Sequence, residues 1–332
     1  MSSKLNVLVT GGAGYIGSHT CKLLYKEGFS PIVFDNLSTG HSDFVNWGTF
    51  VNGDILRTEK VVNTIKKFNP VAIIHFAASA YVGESVSNPS KYYRNNVNGT
   101  LSLLEAMKMT NMKNFIFSST CATYGEPDEM PVDEACRQNP INPYGRSKLM
   151  IEKILADFDS AYSMKYIALR YFNAAGADPE AEIGERHDPE THIIPLILKA
   201  AATGMEFKVF GNDYSTFDGT CIRDYIHVGD LASAHLKALN YIIAKKESNQ
   251  FNLGNGQGYS VNQIIESVRR VTKQEFPVKI EKRRPGDPPI LIGDSSKAKA
   301  ILNWQPTFTE IDDIILTAWK WLQKENENQL TR

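Results

Sequence analysis

Two groups of residues in this 332-residue chain have types and spacings that could do chemistry. The first is Thr10-Gly11-Gly12-Ala13-Gly14-Tyr15-Ile16-Gly17, set between a short apolar run and a helical pattern. Gly12, Gly14 and Gly17 fit G-x-G-x-x-G, and Gly11 begins the turn. Glycine permits a tight turn and lets the backbone approach a pyrophosphate, while the following helix points its N–H groups at the anion. On these residues alone, a plain glycine turn is the competing reading. Asp35 closes the next apolar run 18 residues after Gly17, where a carboxylate can hold the diol of an adenosine ribose. The same charge repels a 2′-phosphate, so NAD is favoured over NADP.

The second group is Tyr144-Gly-Arg-Ser-Lys148. On a helix, residues four apart share a face, so Tyr144 and Lys148 project together. A free tyrosine titrates near ~10 and is a poor base at neutral pH. A neighbouring ammonium, together with a cationic nicotinamide ring, favours the phenolate. The same spacing recurs in Tyr241-Ile-Ile-Ala-Lys245, on what reads as an ordinary amphipathic helix. Context separates the copies. Tyr144 follows the hydroxyl cluster Ser118-Ser119-Thr120 by 24 residues. That cluster ends an apolar strand, where ligand sites form in α/β sheets. Tyr241 has no such cluster upstream.

The elements that must position these groups alternate. Leu5–Thr10, Pro31–Asp35, Thr49–Asn52, Val71–Phe76, Asn114–Ser118 and Tyr166–Arg170 are strand candidates. They are nearly all apolar, which suits strands buried on both faces of a parallel sheet. Helical patterns lie between them, over 15–27 and over 145–163, where Leu149, Ile151, Ile154, Leu155, Phe158 and Tyr162 recur at helical spacing. The expected fold is α/β: a doubly wound parallel, Rossmann-type sheet over 1–172, with a smaller mixed α/β substrate domain over 173–332. Some segments of the second part are expected to return to the first. Residues 173–192 read as a long functional loop, and the charged tail after Lys320 reads as fraying.

Composition excludes several classes. Lys and Arg number 36 against 37 Asp and Glu, a net charge of −1. There is no basic excess to hold nucleic acid. The four cysteines, Cys21, Cys121, Cys136 and Cys221, lie far apart with no C-x-x-C, which fits a reducing compartment. No apolar run approaches the ~20 residues that span a bilayer. MSSKLNVLVTGG does not read as a signal peptide. A cytoplasmic protein is expected. His187 and His192 are five apart in a loop with no matching third ligand, so no metal is expected.

The chain resembles the extended short-chain dehydrogenase/reductase family and, within it, the UDP-glucose (UDP-galactose) 4-epimerases. The blocks TGGAGYIGSH, DNLSTGH, GDI, HFAA, VGESV, YYRNNVNGT, RYFNAAGA, VFGNDY, DGTCIRDYIHVGDLA and RRPGD look like that family's, in its order and over nearly the whole chain. The resemblance implies reversible hydride transfer at sugar C4 with tightly bound NAD, through a 4-keto intermediate. It implies Thr120 and Tyr144 at the sugar 4-hydroxyl, and Lys148 on the nicotinamide ribose. Gly11, Gly14, Tyr15, Ile16 and Gly17 would approach the pyrophosphate. Asp35, Asn36, Leu37, Ser38, Thr39 and Gly40 would surround the adenosine, and Asp54 and Ile55 would flank the adenine. Phe76, Ala77, Ala78, Asn95 and Phe172 would complete the cofactor site. Asn173, His192, Phe210, Arg223, Arg284 and Asp287 look like UDP-binding residues, and Leu291 like the residue facing the sugar C2 substituent. Arginine suits a diphosphate by charge and fork geometry, but outside the resemblance a structural salt bridge is the favoured reading of Arg223 and Arg284. A homodimer is implied, through helices near 90–112 and 145–163.

Some positions depart from the pattern or narrow it. Many relatives carry lysine at Ala80, so one contact is lost or replaced there. The related 4,6-dehydratases carry Asp-Glu after the hydroxyl of Thr120. Here Cys121 and Ala122 follow, and neither serves as the added acid or base of a dehydration. UDP-xylose/UDP-arabinose and UDP-N-acetylhexosamines remain alternative substrate pairs. A non-catalytic NAD-binding regulatory protein could dispense with Thr120, Tyr144 and Lys148, all of which are present.

Overall fold

A computed structural model describes residues 4–283 and 287–330. Thirteen strands run through the described residues. They are β1 (Asn6–Thr10), β2 (Ser30–Asp35), β3 (Thr49–Asn52), β4 (Ala72–His75), β5 (Asn114–Thr120), β6 (Lys165–Tyr171), β7 (Asn173–Ala175), β8 (Phe207–Phe210), β9 (Ile222–His227), β10 (Asn249–Leu253), β11 (Gly258–Ser260), β12 (Val278–Glu281) and β13 (Ile290–Leu291). Seven form one sheet in the order β10-β6-β5-β4-β1-β2-β3, with every neighbouring pair parallel. This is the doubly wound Rossmann arrangement.

The near-continuous apolar strands follow from burial on both faces. Val7 and Val9 of β1 point into one core with Ile116, Leu169 and Phe251, beneath Cys21 and Leu24 of helix Tyr15–Lys26. Leu8, between them, points into the opposite core with Phe34, Ile73, Phe115 and Phe117, beneath Leu103, Met107 and Ile151. A strand with a helix layer on each side has no face to leave polar.

The strand order reverses between β1 and β4, and a crevice opens there beyond their carboxyl ends. The glycine turn follows β1 and Phe76–Ala77 follow β4, so both lie at the opening. Two segments beyond residue 172 sit in this same layer. Strand β10 extends the sheet beside β6, and helix Val228–Lys245 packs its Leu231, Leu239 and Ile242 into the β1 face.

The rest builds smaller sheets. Strand β9 pairs with β7 and β13 in parallel and with β11 antiparallel, while β8 pairs with β12. Helices Ile193–Thr203, Val261–Thr272 and Ile311–Leu330 supply their core. So β7 interrupts what the sequence suggests is one loop over 173–192. The tail does not fray at Lys320: the helix continues to Leu330. Trp321 is buried against Phe44, Ala177 and Ile183, and Glu325 pairs with Arg186. Among the described residues, no helix is long and apolar enough to cross a membrane.

Candidate active site

One cavity of about 720 Å³ runs across the switch point. At one end is the glycine turn. Gly11 has φ +73°, and a Cβ there would lie 2.5 Å from the Ala77 nitrogen. A Cβ on Gly17 would lie 2.1 Å from the Gly11 carbonyl oxygen. The turn is therefore as tight as the sequence predicts, and Gly14 caps the helix that follows. Asp35 ends β2 beside it. Its carboxylate accepts hydrogen bonds from the backbone N–H groups of Ala13 (3.1 Å) and Leu37 (2.8 Å), and burial raises its pKa. This closely approachable backbone at a helix N-terminus, with a carboxylate at its lip, fits a dinucleotide.

Thr120 is the last residue of β5, and Tyr144 lies in the first turn of helix Pro143–Tyr162. The Asn142 side chain caps that helix, accepting from the Gly145 N–H at 2.8 Å. Gly145 is what lets the two meet. A Cβ there would sit 2.4 Å from the Ala122 carbonyl oxygen, so a larger residue would hold the helix away from β5. From the same helix, Ser147 accepts from Asn96 (3.1 Å), whose carbonyl oxygen accepts from the Ser79 N–H (2.8 Å). This ties the helix to the π-helical turn Tyr93–Asn98, which carries Asn95 to the cavity wall.

Burial dominates the electrostatics. It pushes Tyr144 well above the usual tyrosine range, with Tyr171 adding to the rise and the Thr120 hydroxyl opposing it. Burial lowers Lys148 to about 7, against the pull of the Glu152 carboxylate. The Lys148 ammonium donates to the Ser118 carbonyl oxygen at 2.8 Å and lies 5.8 Å from the Tyr144 ring centre. The expected lowering of the Tyr144 pKa by Lys148 is thus outweighed in the protein alone. A positively charged nicotinamide is the half of the expected tuning that remains. Beneath Lys148, Glu152 forms a buried pair with Arg170 at 2.6 Å and accepts from Ser119 at 2.5 Å.

The far end of the cavity is lined by Asn173, His192, Arg223, Asp287 and Leu291. Arg223 donates to Asp287 at 3.1 Å, so the salt-bridge reading and the binding reading of Arg223 meet in one pair. Asn173 donates to the Asp224 carbonyl oxygen at 3.0 Å. Leu291 packs with Tyr124, Val132 and Phe172.

Most of the expected residues line this cavity: Gly11, Gly14, Tyr15, Ile16, Gly17, Asp35, Asn36, Ser38, Thr39, Gly40, Ile55, Phe76, Ala77, Ala78, Asn95 and Phe172 join those above. Four lie off its wall. Lys148 is beneath Tyr144. Leu37 packs against the core of the sheet. Asp54 turns away to Asn36 and the Leu56 N–H. Phe210 ends β8, which belongs to the separate pair with β12. Arg284 lies outside the described residues. Ser79, Tyr81, Glu84, Lys91, Tyr171, Arg186 and His187 also line the cavity and were not singled out as binding residues. Glu84 and Tyr171 fall within the blocks VGESV and RYFNAAGA, and Arg186 and His187 within the loop 173–192, but none carries a motif of its own. Tyr241, the second copy, donates to Glu247 at 2.9 Å and is absent from the cavity wall.

The family model for the NAD dependent epimerase/dehydratase family matches residues 7–254. A UDP-glucose 4-epimerase from Rhizobium leguminosarum bv. trifolii is 50% identical over 323 residues, 97% of this chain and 98% of that protein. The structure of UDP-glucose 4-epimerase from Brucella ovis in complex with NAD superimposes with a TM-score of 0.93 at 55% identity, covering 95% of this chain and 98% of that one. That of the Bifidobacterium longum enzyme with NAD+ and UDP has a TM-score of 0.92 at 37% identity, covering 97% and 99%.

Proposed function

The chain belongs to the NAD dependent epimerase/dehydratase family, and on that footing we propose that it interconverts UDP-glucose and UDP-galactose with tightly held NAD. The observation that carries this is the continuity of one cavity. The glycine turn and Asp35 line one end, Thr120 and Tyr144 the middle, and Arg223, Asp287 and Leu291 the other. When bound, NAD would supply the hydride acceptor and donor for sugar C4.

Every other task falls to side chains. Gly11, Gly14 and Gly17 admit the pyrophosphate to the backbone, and Asp35 holds the adenosine ribose. Tyr144 takes the proton of the 4-hydroxyl and gives it back, with Thr120 beside it to orient that hydroxyl. Lys148, beneath the phenol, binds the nicotinamide ribose. Arg223 anchors the diphosphate after exchanging Asp287 for phosphate oxygens. The Arg223 side chain is mostly buried and Asp287 half-exposed, so the incoming phosphate must replace the carboxylate's charge as the pair parts. A firm anchor at the diphosphate leaves the 4-keto ring free to turn over between the two hydride transfers. Cys121 and Ala122, which follow Thr120, add no acid or base, in keeping with epimerisation rather than dehydration.

The hexose pair is favoured over N-acetylated sugars by Leu291, which is 8% exposed and closely packed. Helices Gly99–Thr110 and Pro143–Tyr162 expose Met109, Met150 and Tyr162, which supports a homodimer through these helices. Four free cysteines support a reducing cytoplasm. The decisive experiment incubates the purified protein with UDP-glucose, UDP-galactose, UDP-xylose and UDP-N-acetylglucosamine without added NAD, then resolves the 4-epimers. Conversion within the hexose pair is expected. Conversion of none of the four, or a 4-keto-6-deoxy product, overturns the reading.

A further inference from the structure

The loop 185–192, Glu-Arg-His-Asp-Pro-Glu-Thr-His, draws together four side chains that the sequence leaves apart. One nitrogen or oxygen from each of Glu185, His187, Glu190 and His192 lies within 4.8 Å of all the others. His187 Nδ1 is 3.2 Å from Glu185 Oε1 and 3.6 Å from Glu190 Oε2. His192 Nδ1 touches Glu185 Oε1 and is 3.9 Å from Glu190 Oε1. Around a tetrahedral zinc with bonds of about 2.0–2.2 Å, neighbouring ligand atoms are about 3.3–3.6 Å apart. We propose that Glu185, His187, Glu190 and His192 form a divalent-cation site, with zinc the best match to two imidazoles and two carboxylates.

Three features of the loop suit a ligand set. First, His187 Nδ1 is buried yet has no hydrogen-bond partner. Its 3.2 Å approach to Glu185 is not aligned for an N–H donor, whereas a lone pair aimed among carboxylates is what a cation uses. Second, the Glu185 side chain is 5% exposed, and a buried carboxylate needs positive charge beside it. Third, the ligands are already oriented from behind. The backbone N–H groups of Thr191 and His192 donate to Glu190 Oε1 at 2.7 and 2.8 Å. Trp321 donates to the Glu185 carbonyl oxygen at 3.1 Å. Such outer partners hold ligands in place before the metal arrives.

The competing arrangement is two imidazolium–carboxylate pairs, and the charge balance is the same. Two carboxylates are neutralised either by two bound protons or by one dication with neutral imidazoles. His192 already hydrogen-bonds Glu185, but His187 Nδ1 faces both carboxylates with no aligned bond to either, and that open position is what favours the dication.

A cation here would be a clip, with no step of the reaction assigned to it, and it would take His192 out of the set that the resemblance gave to UDP. The loop closes one side of the cavity, where His187 packs edge-on against Tyr15 and Tyr81 at 6.3 and 5.8 Å between ring centres. Tyr15 belongs to the glycine turn. Arg186, inside the loop, is held by Asp43, Glu325 and the ring of Phe44. Fixing 185–192 therefore fixes the wall against which the cofactor's pyrophosphate would rest.

The test measures metal, independently of sugar turnover, so its failure is distinct from failure of the epimerase reading. The full chain with its cofactor is stripped with chelator, dialysed against buffered zinc, and assayed for bound metal. X-ray absorption then reads the ligands. The expected result is one zinc per chain in an N/O shell with imidazole scattering. His187→Ala and Glu190→Gln should each weaken binding by at least about a hundredfold, more than the loss typical of a mere outer partner. Glu190→Gln keeps an oxygen that can accept from Thr191 and His192, so it separates loss of a ligand from loss of the loop. Absence of bound zinc in the parent chain overturns the proposal, as does zinc that both variants hold equally. Either outcome leaves the protonated ion-pair cluster as the account of the loop.

Discussion

Leu291 lies directly across from Arg223 in the parallel pairing of β13 with β9. Two residues 68 positions apart in the chain are thereby held one strand spacing apart. The side chain expected to gate the sugar and the side chain expected to anchor its diphosphate share one rigid pairing, so a change in pocket shape need not disturb the anchor. Leu291→Ser is expected to widen acceptance of N-acetylated sugars, and Leu291→Tyr to abolish it while sparing the hexose pair. Accommodating an acetamido group in a pocket built for less costs ~1–3 kcal/mol, or tens- to hundreds-fold in rate. The measurement is kcat/KM for UDP-glucose and UDP-N-acetylglucosamine in all three proteins. An unchanged ratio removes Leu291 as the gate. Leu291→Ser should also lower Tm, because it empties buried apolar volume.

Tyr144→Phe keeps the ring packed against Tyr92 (6.5 Å between centres) and deletes the proton acceptor. Turnover should fall by ~10²–10⁴-fold with UDP-sugar binding largely retained. Tyr241→Phe removes only a partly exposed hydroxyl bonded to Glu247, and should change stability by no more than about 0.5 kcal/mol and turnover not at all. Equal losses from the two substitutions would mean that the neighbouring β5 terminus does not tell the two copies apart.

The buried Lys148 makes a pH prediction with a definite sign. Its pKa is lowered by burial to about 7, from 10.5. Between these values the unfolded chain holds a proton there that the folded chain has released. Stability from this group therefore rises as pH climbs through the window, and is flat below it. Urea titrations of the cofactor-free protein and of Lys148→Met, from pH 6.5 to 9.5, isolate the effect. The free-energy difference, parent minus variant, should increase with pH. A constant difference would mean that burial does not lower the Lys148 pKa into this range.

Gly17→Ala tests the cofactor turn. Its Cβ would fall 2.1 Å from the Gly11 carbonyl oxygen, so the turn must open and the backbone must withdraw from the pyrophosphate. The parent protein, once denatured, should release close to one NAD per chain. The variant should purify with little. Full retention of NAD by Gly17→Ala, or release of NADP from the parent, would contradict the assignment of this turn.

Glu152 and Arg170 form a buried pair beneath the site, with side chains 7% and 5% exposed. Glu152→Ala leaves the guanidinium uncompensated and should cost about 3–5 kcal/mol, read as a fall in the urea midpoint. A loss below about 1 kcal/mol would show that water reaches Arg170.

What the chain reveals without its structure is what short-range order controls. The apolar runs of β1, β4 and β5 announce a sheet buried on both faces, because each needs only its own residues to be legible. The glycine turn and Asp35 are legible for the same reason: a strand, a turn and a helix N-terminus follow one another within a few residues. Tyr144 could be told from Tyr241 by its distance from Ser118–Thr120. What the sequence does not disclose is where charges meet. Arg223 finds Asp287 across 64 positions, Glu325 reaches back to Arg186, and Lys148 turns to the Ser118 carbonyl oxygen. His187 and His192 read as a pair lacking a third ligand until the loop folds Glu185 and Glu190 against them. Hydrophobic periodicity is written locally and sums along an element. The encounter of two charged groups, and the burial that shifts their pKa values, depends on how whole elements pack, so only the tertiary structure decided these.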